Sequence, residues 1–501
     1  MVKKSTLVRP FARLTRRRVL AKAVTPVAEQ GKILRELARR GANTAFGREH
    51  GVGAIRSHRD LAARVPVRDY EALRPWFDRV AHGEPDVLWP GRPAYLAKTS
   101  GTTSGIKYIP ITRASTSNHF GTARDALFNY YARTGHGAWL DGKMIFLSGS
   151  PALDTKHGIP VGRLSGISNH MVPEWLKRDQ LPSYPTNCIE DWEAKLDAIV
   201  AETLGQDLRL ISGIPPWVQM YFERLLSVSG RDTVLECFPN FQMFVYGGVN
   251  YEPYRPQLEA LIGGRVPSVE TYPASEGFVA FQDGEPGEGL LLNVASGIYF
   301  EFVPLAEAHE ERPTRLSLGD VELGKPYAVV LSSNAGLWGY ALGDTVEFVS
   351  LRPYRVRVAG RVKHYISAFG EHVIGQEIER ALVEAQARHG GYVTELTVAP
   401  EVAPSAGGLP YHEWLVEFGA RPRDVGAFAK TLDASPRAQN IYYEDLRGGN
   451  ILRALQVTEV APGAFRDYMA SVGRLGGQNK VPRLSNDRAI ADALLGASRR
   501  A

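Results

Sequence analysis

The 501 residues carry a net charge of only +5, with 44% hydrophobic and 23% charged side chains. That is the composition of a soluble globular protein too long for one ordinary core, so two or more domains are expected. No apolar run approaches the roughly 18 residues a membrane span needs, which excludes stable membrane insertion; the two cysteines, Cys188 and Cys237, exclude a disulfide framework and a zinc site and suit the cytosol.

The chain opens on a basic stretch, in which Lys3, Lys4, Arg9, Arg13, Arg16, Arg17, Arg18 and Lys22 precede the first acid, Glu29. No sustained basic face with interleaved aromatics follows, so a nucleic-acid partner is not expected. No long apolar region follows either, and the Arg16-Arg17 pair reads as part of a helix rather than a targeting signal. Residues from Val19 to Arg40 and from Asp60 to Phe77 read as helices, Leu34, Leu37 and Ala38 marking a buried stripe. An extended piece, Arg92 to Lys98, feeds a Ser/Thr/Gly-rich loop. Strand-like and helical runs then alternate: Met144 to Leu147, Trp192 to Glu202, Trp217 to Leu226, Met243 to Tyr246, Arg255 to Leu261. This alternation predicts an α/β architecture with parallel strands. From Gly289 the pattern turns β-rich. Ile298, Phe300 and Phe302 alternate with Tyr299, Glu301 and Val303, predicting a half-buried strand, and Tyr327 to Leu331 and Thr345 to Val349 are further strands. A helix from Gly375 to Arg388 and strands at Glu395 to Val398 and His412 to Phe418 predict a small α+β domain. The basic, turn-flanked stretch Arg352 to Lys363 marks the boundary, giving domains 1–358 and 359–501.

Four short motifs carry the chemistry. Thr99-Ser100-Gly101-Thr102-Thr103-Ser104-Gly105-Ile106-Lys107 combines glycines, which expose backbone N–H groups, with hydroxyls and a lysine suited to phosphate oxygens. It is not a Walker motif, because no Gly-Lys-Ser/Thr opens a helix. Tyr272-Pro273-Ala274-Ser275-Glu276-Gly277 follows a strand, where ligands bind in α/β sheets. A lone Glu in a turn is usually solvated, but beside a phosphate loop Glu276 could hold Mg²⁺. Trp338-Gly339-Tyr340-Ala341-Leu342-Gly343-Asp344 offers a carboxylate able to accept a ribose diol, although a Gly-Asp turn is more often structural. Gly477-Gln478-Asn479-Lys480-Val481-Pro482-Arg483 presents a lysine that by itself reads as a solvated charge.

In this order the four motifs resemble one family. From about Pro66 to Arg483 the chain is similar to the Gretchen Hagen auxin-responsive acyl-acid amido synthetases, within the adenylate-forming superfamily. Besides the four motifs, Pro66-Val67-Arg68-Asp69-Tyr70, Ile109-Pro110 and Tyr299-Phe300-Glu301-Phe302 carry the likeness. The phosphate loop is shared across the superfamily, whereas the Tyr-Phe-Glu-Phe strand and the Lys-x-Pro-Arg ending are more particular. The resemblance implies a large N-terminal adenylation domain, a mobile C-terminal domain and an active site between them. It implies that Ser100, Gly101, Thr102, Thr103, Lys107 and Ser275 hold nucleotide, that Asp344 binds ribose, and that Glu276 sits by Mg²⁺ and the α-phosphate. Lys480 would reach the reacting centre, and Arg361, counted with the nucleotide-binding residues, lies where the superfamily places its hinge. At Trp338-Gly339-Tyr340-Ala341 the chain departs from plant relatives, which carry arginine-bearing tyrosine motifs before the Gly-Asp pair.

The chemistry implied is activation of a carboxylic acid by ATP as an acyl-adenylate, with release of pyrophosphate. Transfer to an amine, an amino acid by preference, then releases AMP. Fixed N–H donors, Mg²⁺ and a lysine suit the charge that builds on the phosphoryl oxygens. An acyl-CoA ligase shares the first half, and a noncatalytic nucleotide-binding module shares the loop. A hydrolase using a loop serine lacks a nucleophile elbow. Ile214, Trp217, Gly248, Val249 and Tyr251, in the Ser212–Trp217 and Gly247–Tyr251 stretches, are candidates for the acyl pocket and equally candidates for turn and core.

Overall fold

The computed structural model describes residues 3–100, 106–189, 191–248, 251–252, 254–308, 310–362, 365–366, 368, 371, 373–402, 404, 408–448, 452–475, 480–485 and 487–498. The chain divides into two compact units, Met1–Asn250 with Leu258–Arg357, and Val358–Ala501 with Tyr251–Gln257.

In the first unit the helical region expected from Val19 to Arg40 begins earlier and is divided into two helices. One runs over Lys4–Val24 and a second over Pro26–Gly41. The break falls at Thr25 because Pro26 takes the first helical position, where its missing N–H costs nothing, and pushes the preceding residue out of the helical region. The helix expected from Asp60 to Phe77 is likewise two, His58–Arg64 and Tyr70–Ala81. Pro66 stops the first, and Asp69 caps the second by accepting the Ala72 N–H. The residues between run extended and pair with the third motif: the Arg68 N–H donates to the Gly339 carbonyl at 3.0 Å, and the Ala341 N–H to the Arg68 carbonyl at 2.9 Å.

Among the described residues the largest sheet runs, from edge to edge, Ile298–Pro304, Pro326–Ser333, Tyr340–Leu351, Tyr354–Arg361, Leu290–Leu292, Gly277–Gln282, Ser268–Ala274, Met243–Gly247, Leu208–Ser212, Lys143–Phe146 and Gln180–Leu181. The last five are mutually parallel, as the alternation of strand and helix requires. The β-rich stretch after Gly289 is antiparallel and continues this same sheet. A smaller sheet joins Ile106–Ile111, Tyr95–Ser100, Ile159–Gly162 and Asp154–Lys156.

The strand at Ile298–Pro304 is not half-buried. Both its faces are covered, and Glu301 is fully enclosed. Alternation misleads here because the one charged residue is neutralised inside. Arg315 donates Nε and Nη2 to the two carboxylate oxygens at 2.9 and 2.5 Å, and His58 Nε2 lies 3.0 Å from Oε1.

Trp338 is also core. Its indole N–H donates to the Leu88 carbonyl at 3.0 Å, and its ring stacks on Phe46. Gly41, ending the second helix, is required by this ring, since a Cβ there would lie 2.3 Å from it.

The second unit is α+β. Tyr392–Glu401, Tyr411–Ala420 and Gln456–Glu459 form a sheet. Helices Gly375–His389 and Val425–Gln439 contribute Ile378, Leu382, Phe428 and Leu432 to its core.

Candidate active site

In the first unit the parallel strands bring three loops to one edge. Ile211 and Ser212 lie in register with Phe244 and Val245, and Gly247 with Thr271. The turns after these strands therefore emerge side by side at the carboxyl ends, the ligand-binding edge of an α/β sheet. They carry Ile214, Gly248, and Ser275 with Glu276, and Trp217 stands in the first turn of the helix Pro215–Ser229 that follows Ile214. Trp217 is buried, Ile214 and Ser275 are half-buried, and Gly248 is exposed with φ +72°.

Glu276 is buried at the turn between Ser268–Ala274 and Gly277–Gln282. Burial pushes its carboxyl above the ordinary carboxylate range. Its own backbone N–H, the Tyr340 hydroxyl and the Lys107 ammonium pull it back, and the nearby Asp344 charge adds to the push. Tyr340 donates its hydroxyl to Glu276 Oε1 at 3.0 Å, and Tyr272 donates its own to Asp344 Oδ2 at 2.7 Å. The two links run in opposite directions between the same two strands: Tyr272 precedes Glu276, and Tyr340 precedes Asp344.

Those strands are four steps apart in the sheet, roughly 19 Å if it were flat, so the sheet must curl to allow these contacts. A bulge aims Asp344. Ala328 pairs with Thr345 while Val330 pairs with Ala341, leaving extra residues on the Asp344 strand. Gly343, at φ +86°, supplies the left-handed conformation the bulge needs.

The first motif enters on the strand Tyr95–Ser100 and leaves on Ile106–Ile111, with Ser100 in register with Ile106. Gly101, Thr102 and Thr103 lie outside the described residues. Lys107 sits on the outgoing strand, its ammonium 5.5 Å from the centre of the Tyr70 ring, and the Tyr70 hydroxyl accepts the Tyr108 N–H at 3.0 Å.

In the second unit Lys480 is exposed and immediately precedes a segment zipped onto the strand Tyr392–Glu401. Val398 donates its N–H to the Arg483 carbonyl and Ser485 donates to the Val398 carbonyl, both at 2.9 Å, while Thr397 Oγ1 donates to the Pro482 carbonyl at 2.7 Å. Arg483 Nη2 donates to the Tyr254 hydroxyl at 2.8 Å and lies 4.0 Å from Glu395. Burial raises the Glu395 carboxyl, against the pull of Arg483 and Lys480.

Three family models match this chain in order: the GH3 family N-terminal domain over residues 16–181, the central domain over 291–361 and the C-terminal domain over 376–489. The chain belongs to the GH3 family. The indole-3-acetic acid-amido synthetase GH3.3 of Arabidopsis thaliana is 21% identical over 550 residues, spanning 93% of this chain and 90% of the relative. The solved structure of the GH3.15 acyl acid amido synthetase superposes with a TM-score of 0.77 at 19% identity over 95% of each chain. A 2-hydroxyisobutyryl-CoA ligase in its postadenylation state superposes with a TM-score of 0.57 at 15% identity, over 95% of this chain and 92% of the ligase. At these identities the two structures show a shared fold.

In this GH3 chain Glu276, Lys107 and Asp344 are brought into one electrostatic neighbourhood. Val249 lies outside the described residues, and so does the side chain of Arg361, which ends the strand Tyr354–Arg361. Tyr251 is buried in the segment that belongs to the second unit, with the Arg255 guanidinium 4.4 Å from its ring centre. Reasoning from sequence passes over Tyr70, Tyr272 and Tyr340 as site-building residues. Their signal was position alone, each standing inside or beside a motif.

Burial of Glu276 makes stability pH-dependent, and the Tyr340 hydroxyl moderates the effect. The native Glu276 carboxyl holds its proton to higher pH than in the unfolded chain. Stability is therefore lost as pH rises from the ordinary carboxylate range through the raised value, and below that range the penalty is absent. Tyr340→Phe removes a donor to the charged form and should deepen the loss at neutral pH by roughly 1–3 kcal/mol. The difference from wild type should shrink on acidification. Thermal unfolding of both proteins without ligands, across pH, measures it; a gap constant with pH would break the link between Tyr340 and Glu276 ionisation.

Proposed function

We propose that this chain is an ATP-dependent acyl-acid amido synthetase. It activates a carboxylic acid as the acyl-adenylate, releasing pyrophosphate, and passes the acyl group to an amine, an amino acid by preference, releasing AMP. One observation carries the reading: two buried carboxylates, Glu276 and Asp344, are each positioned by a tyrosine at the carboxyl edge of the sheet in a chain matching all three GH3 domains.

A carboxylate is a poor acyl donor until an oxygen becomes part of a good leaving group, and the mixed anhydride with AMP provides one. In this reading Ser100, Gly101, Thr102, Thr103, Lys107 and Ser275 bind the phosphates, and Asp344 accepts the ribose hydroxyls. Glu276 suits Mg²⁺, since a cation beside it would offset the burial that now raises its carboxyl. Among the described residues no cluster of three or more His, Cys, Asp or Glu could hold a metal, so phosphate oxygens of ATP would complete its coordination. When bound, Mg²⁺ would neutralise phosphate charge. Lys480 supplies a positive charge to the phosphoryl oxygens in the first half-reaction, and Arg361 serves as the hinge of a mobile second domain. The acid is received near Ile214, Trp217, Gly248 and Val249. Two free cysteines suit a cytosolic enzyme.

The test is incubation with ATP, Mg²⁺ and a panel of aliphatic, aromatic and indolic acids, with amino acids added in a second stage. The expected result is acid-dependent pyrophosphate release followed by an amide visible by mass spectrometry. A CoA thioester with no amide from any amine would overturn it in favour of an acyl-CoA ligase, a reading the fold shared with 2-hydroxyisobutyryl-CoA ligase keeps in view. ATP binding without pyrophosphate release across the panel would make the chain a noncatalytic nucleotide module.

A further inference from the structure

The helix Lys4–Val24 holds seven basic residues and not one acid. Its inner face is docked on the first unit. Ala12 is buried, the Ser5 hydroxyl donates to Asp141 at 2.6 Å, Arg16 donates to Asn129 at 2.7 Å, and the Tyr131 hydroxyl donates to the Ser5 carbonyl at 2.9 Å. The outer face is fixed in place by these anchors rather than free to fold away.

That outer face has two rows. Leu7, Phe11 and Leu14, spaced four and three residues apart, share one side of the helix and are 60, 65 and 45% exposed. Beside them Arg9, Arg13 and Arg17, each four apart, form a row of exposed cations. Among the described residues these three form no ion pair. Across a shallow recess lined by Lys4, Leu7, Val8, Glu174, Trp175 and Arg178, Trp175 is 49% exposed. The acids nearby are already engaged: Glu174 with Lys177 at 2.5 Å, and Asp179 with Lys4.

Three large apolar side chains in line on a rigid platform are costly to leave in water. Unpaired arginines at i, i+4 repel one another and are relieved by an anionic surface. Both needs are met at once where a headgroup layer adjoins an acyl layer. A second copy of this chain would set an acid-free arginine row against its own image, and a nucleic acid would leave the aliphatic row wet.

We propose that the outer face of the helix Lys4–Val24, together with Trp175, binds peripherally to a bilayer bearing anionic lipid headgroups. Leu7, Phe11 and Leu14 enter the acyl boundary, and Arg9, Arg13 and Arg17 meet the headgroup phosphates. The tryptophan sits at the interface, where its ring and N–H are both accommodated. The surface is separate from the residues assigned to the acyl-adenylate chemistry, so the proposal stands whether or not that activity is found.

The test is co-sedimentation of the full chain with vesicles of phosphatidylcholine alone and of equal parts phosphatidylcholine and phosphatidylglycerol. Binding is expected only to the second, weakening with salt. The double variant Arg13→Glu/Arg17→Glu should lower the partition at least about tenfold. Phe11→Asp/Leu14→Asp should also lower it, both with unfolding temperatures near wild type because the residues are exposed. No sedimentation with either vesicle, or equal sedimentation of wild type and both variants, would overturn the proposal. So would a dimer abolished by Phe11→Asp, or salt-sensitive binding to a single-stranded oligonucleotide, in the absence of vesicle binding.

Discussion

Lys480→Met should slow acid-dependent pyrophosphate release by roughly 10²–10³, the usual loss on removing one preorganised charge donor from a developing anion. The backbone that follows Lys480 is anchored, because Pro482, Arg483 and Ser485 are bonded to the strand Tyr392–Glu401 through Thr397 and Val398. The ammonium itself is a compact charge on a flexible stem, suited to meeting charge that appears only during the reaction. Methionine keeps the unbranched stem and removes the charge at an exposed position, so the fold should survive. Aminolysis of a chemically supplied acyl-adenylate should be far less affected, since in the proposed sequence the lysine serves only the first step. Measuring both half-reactions on the folded variant separates the cases. Equal losses would mean that Lys480 acts in both steps. No loss in either would return it to a solvated surface charge.

Glu301→Ala should destabilise the chain by about 3–5 kcal/mol, the typical cost of breaking a buried ion pair by removing one partner. Glu301 is fully enclosed, and the Arg315 side chain is only 6% exposed. Arg315 also donates Nη1 to the carbonyls of Ala62 and Val65. The variant therefore strands a guanidinium that is still tied to the backbone. Replacing both partners, Glu301→Ala with Arg315→Met, should recover a large part of the loss, because an apolar pair needs no counter-charge. Urea unfolding midpoints of wild type, single and double variants measure this. A single-variant cost below about 1 kcal/mol, the range of exposed pairs, would place the pair in water. The glutamate of the Tyr299–Phe302 motif thus serves the core of the first unit through Arg315 and His58.

Much of the architecture was legible in local pattern. Apolar runs and helical stripes mark the parallel strands Lys143–Phe146, Met243–Gly247 and Ser268–Ala274 and several of the helices between them, because period 2 and period 3.6 are local properties of the chain, whereas Gln180–Leu181 and Leu208–Ser212 were not read from it. Pro26 and Pro66 were local signals too, and each divides a stretch that apolar spacing alone had joined. Glu301 is where periodicity fails. Its burial depends on Arg315, fourteen residues on, and on His58, from a helix near the start of the chain.

The sequence by itself determined which residue types the proposed chemistry draws on: a loop rich in glycine and hydroxyls, Glu276 after a strand, Asp344 in a Gly-Asp pair, and Lys480 before a Pro-Arg pair. Their order along the chain carried the family resemblance. Only the tertiary structure decided how the two carboxylates are held. Tyr272 and Glu276 share one strand and its turn, Tyr340 and Asp344 another, and the hydroxyls cross because the intervening sheet curls. Curl, bulge and long-range hydrogen bonds arise from packing between segments some seventy residues apart. No window along the chain contains both partners, so their pairing becomes visible only once the sheet has closed.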